Sequence, residues 1–273
     1  RGGRNLKPDG GRLAPKAATA QEEKLIRMIS HYRPQSPIAE VFRNIHTNLK
    51  LNPLKKTILV TSSGPQEGKS SIASNLGIVM AQTGLKTLLV SIDLRRPALF
   101  KAFGIKNEPG LHELLNGTAT LDEVMNNITD ILLGEMKFED VTRTAGIDNI
   151  SIIPSGRLPS NPVELLESKE LPALIEKFKA QFDVVIFDAP PVLPVTDASL
   201  LAPKVDAVVM VYEIGRGSRE ALIRAKIQLE SVGAKISGVI LNNTRPQTEG
   251  LSLYPYYQRY QYRQYGAAPA SVS

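Results

Sequence analysis

Thr57-Ile58-Leu59-Val60-Thr61-Ser62-Ser63-Gly64-Pro65-Gln66-Glu67-Gly68-Lys69-Ser70-Ser71 joins an apolar run to a glycine-rich loop and then to a helical stretch. In a strand–loop–helix unit the backbone N–H groups of such a loop converge on a phosphate chain. Lys69 would then reach the β- and γ-phosphates, and the hydroxyl of Ser70 can ligate Mg²⁺. The helix that starts near Lys69 turns its positive end toward the same anion. Gly64, Pro65, Gln66, Glu67, Gly68, Lys69, Ser70 and Ser71 therefore form the candidate nucleotide-binding loop. The strict pattern has Gly five places before Gly68, and here that place is Ser63.

Outward from this loop, apolar runs alternate with amphipathic segments. Strands are expected at Thr57–Thr61, Thr87–Ile92, Ile150–Ile153, Val184–Phe187, Ala207–Val211 and Ile236–Leu241. Helices are expected at Lys69–Thr83, Leu165–Phe182 with an interruption near Pro172, Asp197–Leu201 and Ser218–Val232. Strands alternating with helices predict an α/β fold, a parallel sheet with helices on both faces, of the P-loop NTPase type. Upstream, Glu22–Tyr32 and Pro37–Leu51 have helical spacing, with Ile38, Phe42, Ile45 and Leu49 on one face. A weak repeat, Leu114–Val124 and Leu132–Val141, reads as two short helical excursions without chemistry of their own.

Charge is unevenly spread. Residues 1–20 carry a net +4 and residues 251–273 a net +2, which together equal the whole formal charge of +6, so residues 21–250 are neutral. The expected organisation is a disordered basic tail over 1–20, one folded domain over 21–250 and a flexible tail over 251–273. That last segment crowds Tyr254, Tyr256, Tyr257, Tyr260, Tyr262 and Tyr265 among Arg and Gln, with neither helical nor strand periodicity. Tyrosines beside arginines can stack on single-stranded nucleic acid. A neutral folded body offers no electrostatic groove to guide such a strand, so no nucleic-acid partner is expected. Cysteine is absent, which excludes disulfides and thiolate metal sites and suits a reducing cytoplasm. No apolar run is long enough to cross a bilayer. The chain begins with Arg, as a processed or excised piece of a longer protein would, and its first residues suit either the cytoplasmic flank of a membrane span or a solubilising tail.

Two further segments carry carboxylates. Val184-Val185-Ile186-Phe187-Asp188 reads as a buried strand ending in Asp188, where a carboxylate can hold Mg²⁺ directly or through water. In Leu88-Leu89-Val90-Ser91-Ile92-Asp93-Leu94-Arg95, strand alternation puts Ser91 and Asp93 on one side with Arg95 following. Asp93 could face the metal or the γ-phosphate, and Arg95 could neutralise charge. Asn242 and Asn243, after the last strand, are candidates for contact with the base.

With these residues in view, the chain resembles the bacterial tyrosine kinases of polysaccharide assembly, built on the P-loop scaffold shared with the MinD and ParA ATPases. The resemblance rests on Ser36–Arg43, the loop Ser63–Ser70, Asp93-Leu94-Arg95-Arg96-Pro97, Pro154-Ser155-Gly156, Asn161–Leu166, Asp188-Ala189-Pro190-Pro191, Asp197-Ala198, Gly238–Asn242 and the tyrosine cluster. It implies ATP-dependent transfer of a phosphoryl group to tyrosine. Lys69 would cradle phosphates, Ser70 and Asp188 would hold Mg²⁺, and Asp93 would assist the metal or the attacking hydroxyl. It further implies a homo-oligomeric ring in which the tyrosine tail of one subunit enters a neighbour's site, with Glu40 and Arg43 in the ring contact. A membrane-embedded polysaccharide co-polymerase as activator, a tyrosine phosphatase, and a cytoplasmic location at the inner face of the membrane belong to the same implication. The chain departs from the family at Ser91, where an aspartate is usual, and at His46, where the ring motif has Arg. Gly64 stands where MinD-like ATPases carry a second lysine, which favours the kinases over the alternative of an ATPase switch. A second alternative, a catalytically weak nucleotide-binding adaptor, is motivated by Ser91.

Overall fold

A computed structural model describes residues 28–49, 55–127 and 146–243. The tyrosine cluster, the basic N-terminal stretch and the second half of the weak repeat lie outside the described residues. The described strands form a seven-stranded sheet in the order β3-β4-β2-β5-β1-β6-β7, with β1 Thr57–Ser62, β2 Thr87–Ser91, β3 Asn126–Asn127, β4 Ile150–Ile153, β5 Val184–Asp188, β6 Ala207–Glu213 and β7 Ile236–Asn242. All pairings are parallel except β3 with β4. The two-residue β3 escapes a reading based on apolar runs, because Asn126 and Asn127 give no strand pattern.

β1, β2 and β5 are buried at every position, as expected of strands covered on both faces. One core layer gathers Leu59, Leu88, Val90, Phe187, Ile175 and Phe178, and the other Ile58, Val60, Leu89, Ile186, Leu76 and Val79. The helix after the loop, α3 (Lys69–Gln82), is buried continuously from Ile72 to Ala81. It has no polar face because two earlier helices cover its outer side: α1 (Ile29–Tyr32) and α2 (Pro37–Leu49). The main-chain N–H of Ser30 donates to Asn75 Oδ1 at 2.9 Å, and Gln82 Nε2 donates to the Ser30 carbonyl at 2.9 Å. On α2, Phe42 is buried and Ile45 and Leu49 pack against the core, but Ile38 is half exposed and does not share their face.

The expected interruption at Pro172 falls elsewhere. Two helices, α7 (Pro162–Glu167) and α8 (Glu170–Gln181), are separated at Ser168-Lys169, and Pro172 sits in the first turn of α8. A proline is tolerated there because first-turn N–H groups have no intrahelical partner. Asn161 caps α7, so that helix begins three residues before the expected Leu165. The excursion between β2 and β4 includes short helices α4 (Leu99–Phe103), α5 (Leu111–Leu115) and α6 (Leu121–Val124), the last capped by Thr120. Pro154-Ser155-Gly156 serves packing here. The N–H groups of Leu111 and His112 donate to the carbonyls of Pro154 and Ser155, and a Cβ at Gly110 would collide with Gly156.

Candidate active site

The C-terminal ends of β1, β2 and β5 converge, which is where open parallel sheets take their ligands. The loop after β1 is shaped by two left-handed residues, Gln66 (φ 62) and Gly68 (φ 90). A side chain at Gly68 would collide with the amide of Asn242, so the position has neither the backbone freedom nor the room for one.

Glu67 has the least expected placement. Its carboxylate is buried, and Oε1 accepts from the Ser63 hydroxyl at 2.6 Å and from the Gly64 N–H at 2.6 Å. Oε2 accepts from the N–H of Glu213, at 3.2 Å, on the neighbouring strand β6. A negative side chain in a phosphate-binding loop is thereby turned away from the phosphates and used to hold the loop. Ser63, the departure from the strict pattern, supplies one of its hydrogen bonds. The Asn242 amide donates to the Glu67 carbonyl at 3.0 Å, so it too is engaged with the loop.

Asp188 closes β5 in register with Ser91 at the end of β2. Both are fully buried, and neither Asp188 oxygen nor the Ser91 hydroxyl has a partner in hydrogen-bond geometry. Burial pushes the Asp188 carboxyl up to about 6, against the opposing pull of the nearby Lys69 ammonium and Ser70 hydroxyl. Asp93 lies just past β2, in a tight turn where the Leu94 N–H donates to the Ile92 carbonyl. Its Oδ2 stands 3.6 Å from Lys69 Nζ, and its Oδ1 accepts from the N–H groups of Arg95 and Arg96 at 3.3 and 2.9 Å.

Arg95 is not free. Its Nε and one terminal nitrogen form a two-pronged ion pair with Asp197, at 3.0 Å each, and Asp197 is completely buried at the start of α9 (Asp197–Leu201). The charge available to an anion at that wall is correspondingly reduced. Nothing in the sequence around Asp197 marks its carboxylate as the partner of an arginine 102 positions earlier.

Of these groups Gln66, Gly68, Lys69, Ser70, Asp93, Arg95 and Arg96 border an open cavity of about 830 Å³, while Asp188 and Ser91 are buried behind its lining residues. Pro65, Gln66, Gly68, Lys69, Ser70 and Ser71 line one side, Asp93, Arg95, Arg96 and Ala98 another, and Pro190, Pro191, Pro194 and Val195 a third. Among the described residues no three His, Asp or Glu side chains cluster as a metal cage. Mg²⁺ on a nucleotide needs fewer, since it takes one or two carboxylates together with phosphate oxygens and waters. The orphaned oxygens of Asp188, with Ser70 nearby, fit that hard cation. Glu40 and Arg43 sit apart from the cavity on α2, paired with each other at 2.6 Å, and Arg43 also donates to the Pro34 carbonyl.

A nucleotide-binding fold of the P-loop type with this constellation defines a class, and comparison with known proteins narrows it. Residues 55–233 match the family model described as AAA domain. The chain is 34% identical over 233 residues to the tyrosine-protein kinase YwqD of Bacillus subtilis (strain 168), covering 84% of this chain and 90% of that protein. To the tyrosine-protein kinase CpsD of Streptococcus agalactiae it is 31% identical over 232 residues, covering 85% and 93%. The ptk tyrosine-protein kinase of Acinetobacter johnsonii is longer: 34% identity over 194 residues covers 70% of this chain and 24% of that protein. Among solved structures, the kinase domain of the Escherichia coli tyrosine kinase ETK superposes with a TM-score of 0.72 at 27% identity, covering 87% of each chain. The chimerical protein CapA2B2 gives 0.70 at 32% identity, covering 80% of this chain and 90% of that one. MinD from Pyrococcus horikoshii, solved with Mg-ADP, shares the fold at a TM-score of 0.54 and 22% identity, covering 72% of each chain. The chain belongs to the bacterial tyrosine-protein kinase family.

Proposed function

We propose that this chain transfers the γ-phosphoryl group of ATP to tyrosine hydroxyls, foremost those of its own cluster at Tyr254, Tyr256, Tyr257, Tyr260, Tyr262 and Tyr265. The observation that carries the reading is the cavity lined by Lys69, Ser70 and Asp93, with the buried carboxylate of Asp188 within electrostatic reach of all three. Lys69 and the loop N–H groups hold the phosphates, with Ser71 beside them in the first turn of α3. Ser70 and Asp188, helped by Asp93, would hold Mg²⁺, whose charge offsets that of the phosphates. Asp93 is the carboxylate placed to receive the phenolic proton. The phenol oxygen forms the new P–O bond, the bond from the γ-phosphorus to the bridging oxygen breaks, and ADP leaves with the electron pair. Catalysis of this kind rests on positioning and charge stabilisation.

The acceptor tail comes from a neighbouring copy in a homo-oligomeric ring that Glu40 and Arg43 help to close. A membrane-embedded polysaccharide co-polymerase activates the kinase at the inner face of the membrane, a tyrosine phosphatase reverses the modification, and exopolysaccharide or capsule production is the regulated process. Family membership supports this wider setting. The direct test mixes a chain truncated after residue 250 with a full-length Lys69→Ala chain and Mg²⁺-ATP. Phosphotyrosine on the Lys69→Ala chain is expected, since the truncated chain has the intact site and the other only the acceptors. Free phosphate without any phosphotyrosine, in this mixture and in the wild type, would point instead to an ATPase switch.

A further inference from the structure

The lining of the cavity is chemically uneven. Besides the phosphate loop and the Asp93–Arg96 turn it includes an apolar wall made of Pro190, Pro191, Pro194 and Val195. Prolines have no N–H to offer. Three main-chain donors of this segment are spent on β1 and its loop: Ala189 donates to the Val60 carbonyl at 3.0 Å, Val192 to Ser62 at 2.8 Å and Leu193 to Ser63 at 3.3 Å. The Pro190 carbonyl in turn accepts from the Thr61 hydroxyl at 2.7 Å. The wall is thus rich in C–H surface and is pinned to the segment that leads from β1 into the loop. Pro190 is buried, Pro191 and Val195 are half-buried and Pro194 is exposed, so the apolar surface runs from the floor of the cavity to its mouth. Nucleotide phosphates have no use for such a surface. A planar aromatic side chain does, since ring faces gain from close contact with apolar groups.

We propose that Pro191, Pro194 and Val195 form the subsite for the acceptor's phenol ring, laying it against the wall with its hydroxyl toward Lys69 and Asp93. This inference rests on the tyrosine-kinase reading and deepens it: the wall would choose an aromatic acceptor and keep water from taking its place. The wall residues act by holding the ring, while the charge chemistry stays with the loop and the carboxylates.

The test uses the full chain, Mg²⁺-ATP and a synthetic peptide with the sequence of residues 251–265. Peptide KM and kcat are measured alongside the dissociation constant of a fluorescent ATP analogue. The double variant Pro194→Ser with Val195→Ser should raise peptide KM about tenfold, the loss corresponding to roughly 1.4 kcal/mol of ring contact. Its kcat should fall less than about threefold and its ATP affinity should stay within about twofold, differences below 1 kcal/mol. Val195→Ile, which keeps the apolar surface, should retain the wild-type KM. Should the double variant not fold, Pro194→Ser alone at the exposed rim carries the same test, with a rise of roughly threefold to fivefold. An unmoved KM, or ATP affinity lost in step with KM, would overturn the subsite while leaving the kinase reading in place. ATP hydrolysis by the wild type without label on the peptide or on its own tyrosines would overturn both.

Discussion

Asp188 sits in tension with its surroundings. Folding buries its carboxyl and raises its pKa from 3.8 to about 6, so the fold resists the ionised form. The penalty is absent below pH 4, grows between about 4 and 6, and is constant above; its full size is about 3 kcal/mol. Asp188→Asn should therefore stabilise the nucleotide-free, Mg²⁺-free chain by roughly that amount at pH 7, with the gain vanishing near pH 4. Denaturant titrations of both chains across that pH range check this, and the variant should transfer no phosphate. A wild type as stable as the variant at pH 7 would mean that the carboxylate has a partner. Next to it, Ser91 leaves the site one carboxylate short of the family pattern. At saturating Mg²⁺, Ser91→Asp should raise the rate of tyrosine phosphorylation at least tenfold, a typical scale for a positioned base. An unchanged rate would show that Asp93 alone suffices. At this scale the places of Lys69 and Ser70 at the start of a helix and of Asp188 at a strand end were legible in the sequence, since a local motif or an apolar run announces each. The inward turn of Glu67 and the pairing of Arg95 with Asp197 were not, because both depend on contacts made only once distant segments pack.

Within the loop–helix element, the carboxylate of Glu67 does the work that a backbone alone cannot. Glu67→Ala would strip partners from the Ser63 hydroxyl and from the N–H groups of Gly64 and Glu213, each a loss of about 1–3 kcal/mol if left buried and unpaired. The expected outcome is a lower melting temperature together with an ATP affinity reduced tenfold or more, read by thermal unfolding and nucleotide titration. Glu67→Gln, with its oxygen in the place of Oε1, keeps an acceptor for the Ser63 hydroxyl and the Gly64 N–H and should lose less. If Glu67→Ala bound ATP normally, the loop would not need this brace. Strand positions in this element and its neighbours followed from continuous apolar runs, which fully covered parallel strands require. Helix ends followed less well. The sequence points to a break near Pro172, whereas α7 ends at Ser168, whose backbone is extended (ψ 152), and Pro172 is accommodated in the first turn of α8; the start of α7 depends on the Asn161 cap. Ile38 matched the spacing of a buried face, but the face that α2 presents to α3 is set by packing.

Over the whole molecule, the alternation of strands and helices was enough for the fold class, whereas the strand order and the antiparallel β3 required the three-dimensional arrangement. The ring remains the proposal that reaches furthest beyond one chain. The exposed pair of Arg43 and Glu40 stabilises an isolated chain by no more than about 1 kcal/mol. Glu40→Ala, which removes the exposed pair but leaves the Arg43 bond to the Pro34 carbonyl, should leave the melting temperature of a dilute sample nearly unchanged yet lower the oligomer size in sedimentation. His46, third in the ring motif, is held toward its neutral form by burial and adds no cation there near neutral pH. Phosphorylation would turn the tail from +2 to strongly negative, each group adding about −1.5 to −2. The unmodified chain should therefore assemble and the phosphorylated one dissociate. Equal sedimentation of both forms would contradict this. Passage of phosphate from the cavity to tyrosine is checked by incubating the purified chain with Mg²⁺-ATP and mapping modified residues by mass spectrometry. Phosphate on several of Tyr254, Tyr256, Tyr257, Tyr260, Tyr262 and Tyr265, lost in Lys69→Ala, is the predicted result; an unmodified cluster in a chain that binds and consumes ATP would contradict it.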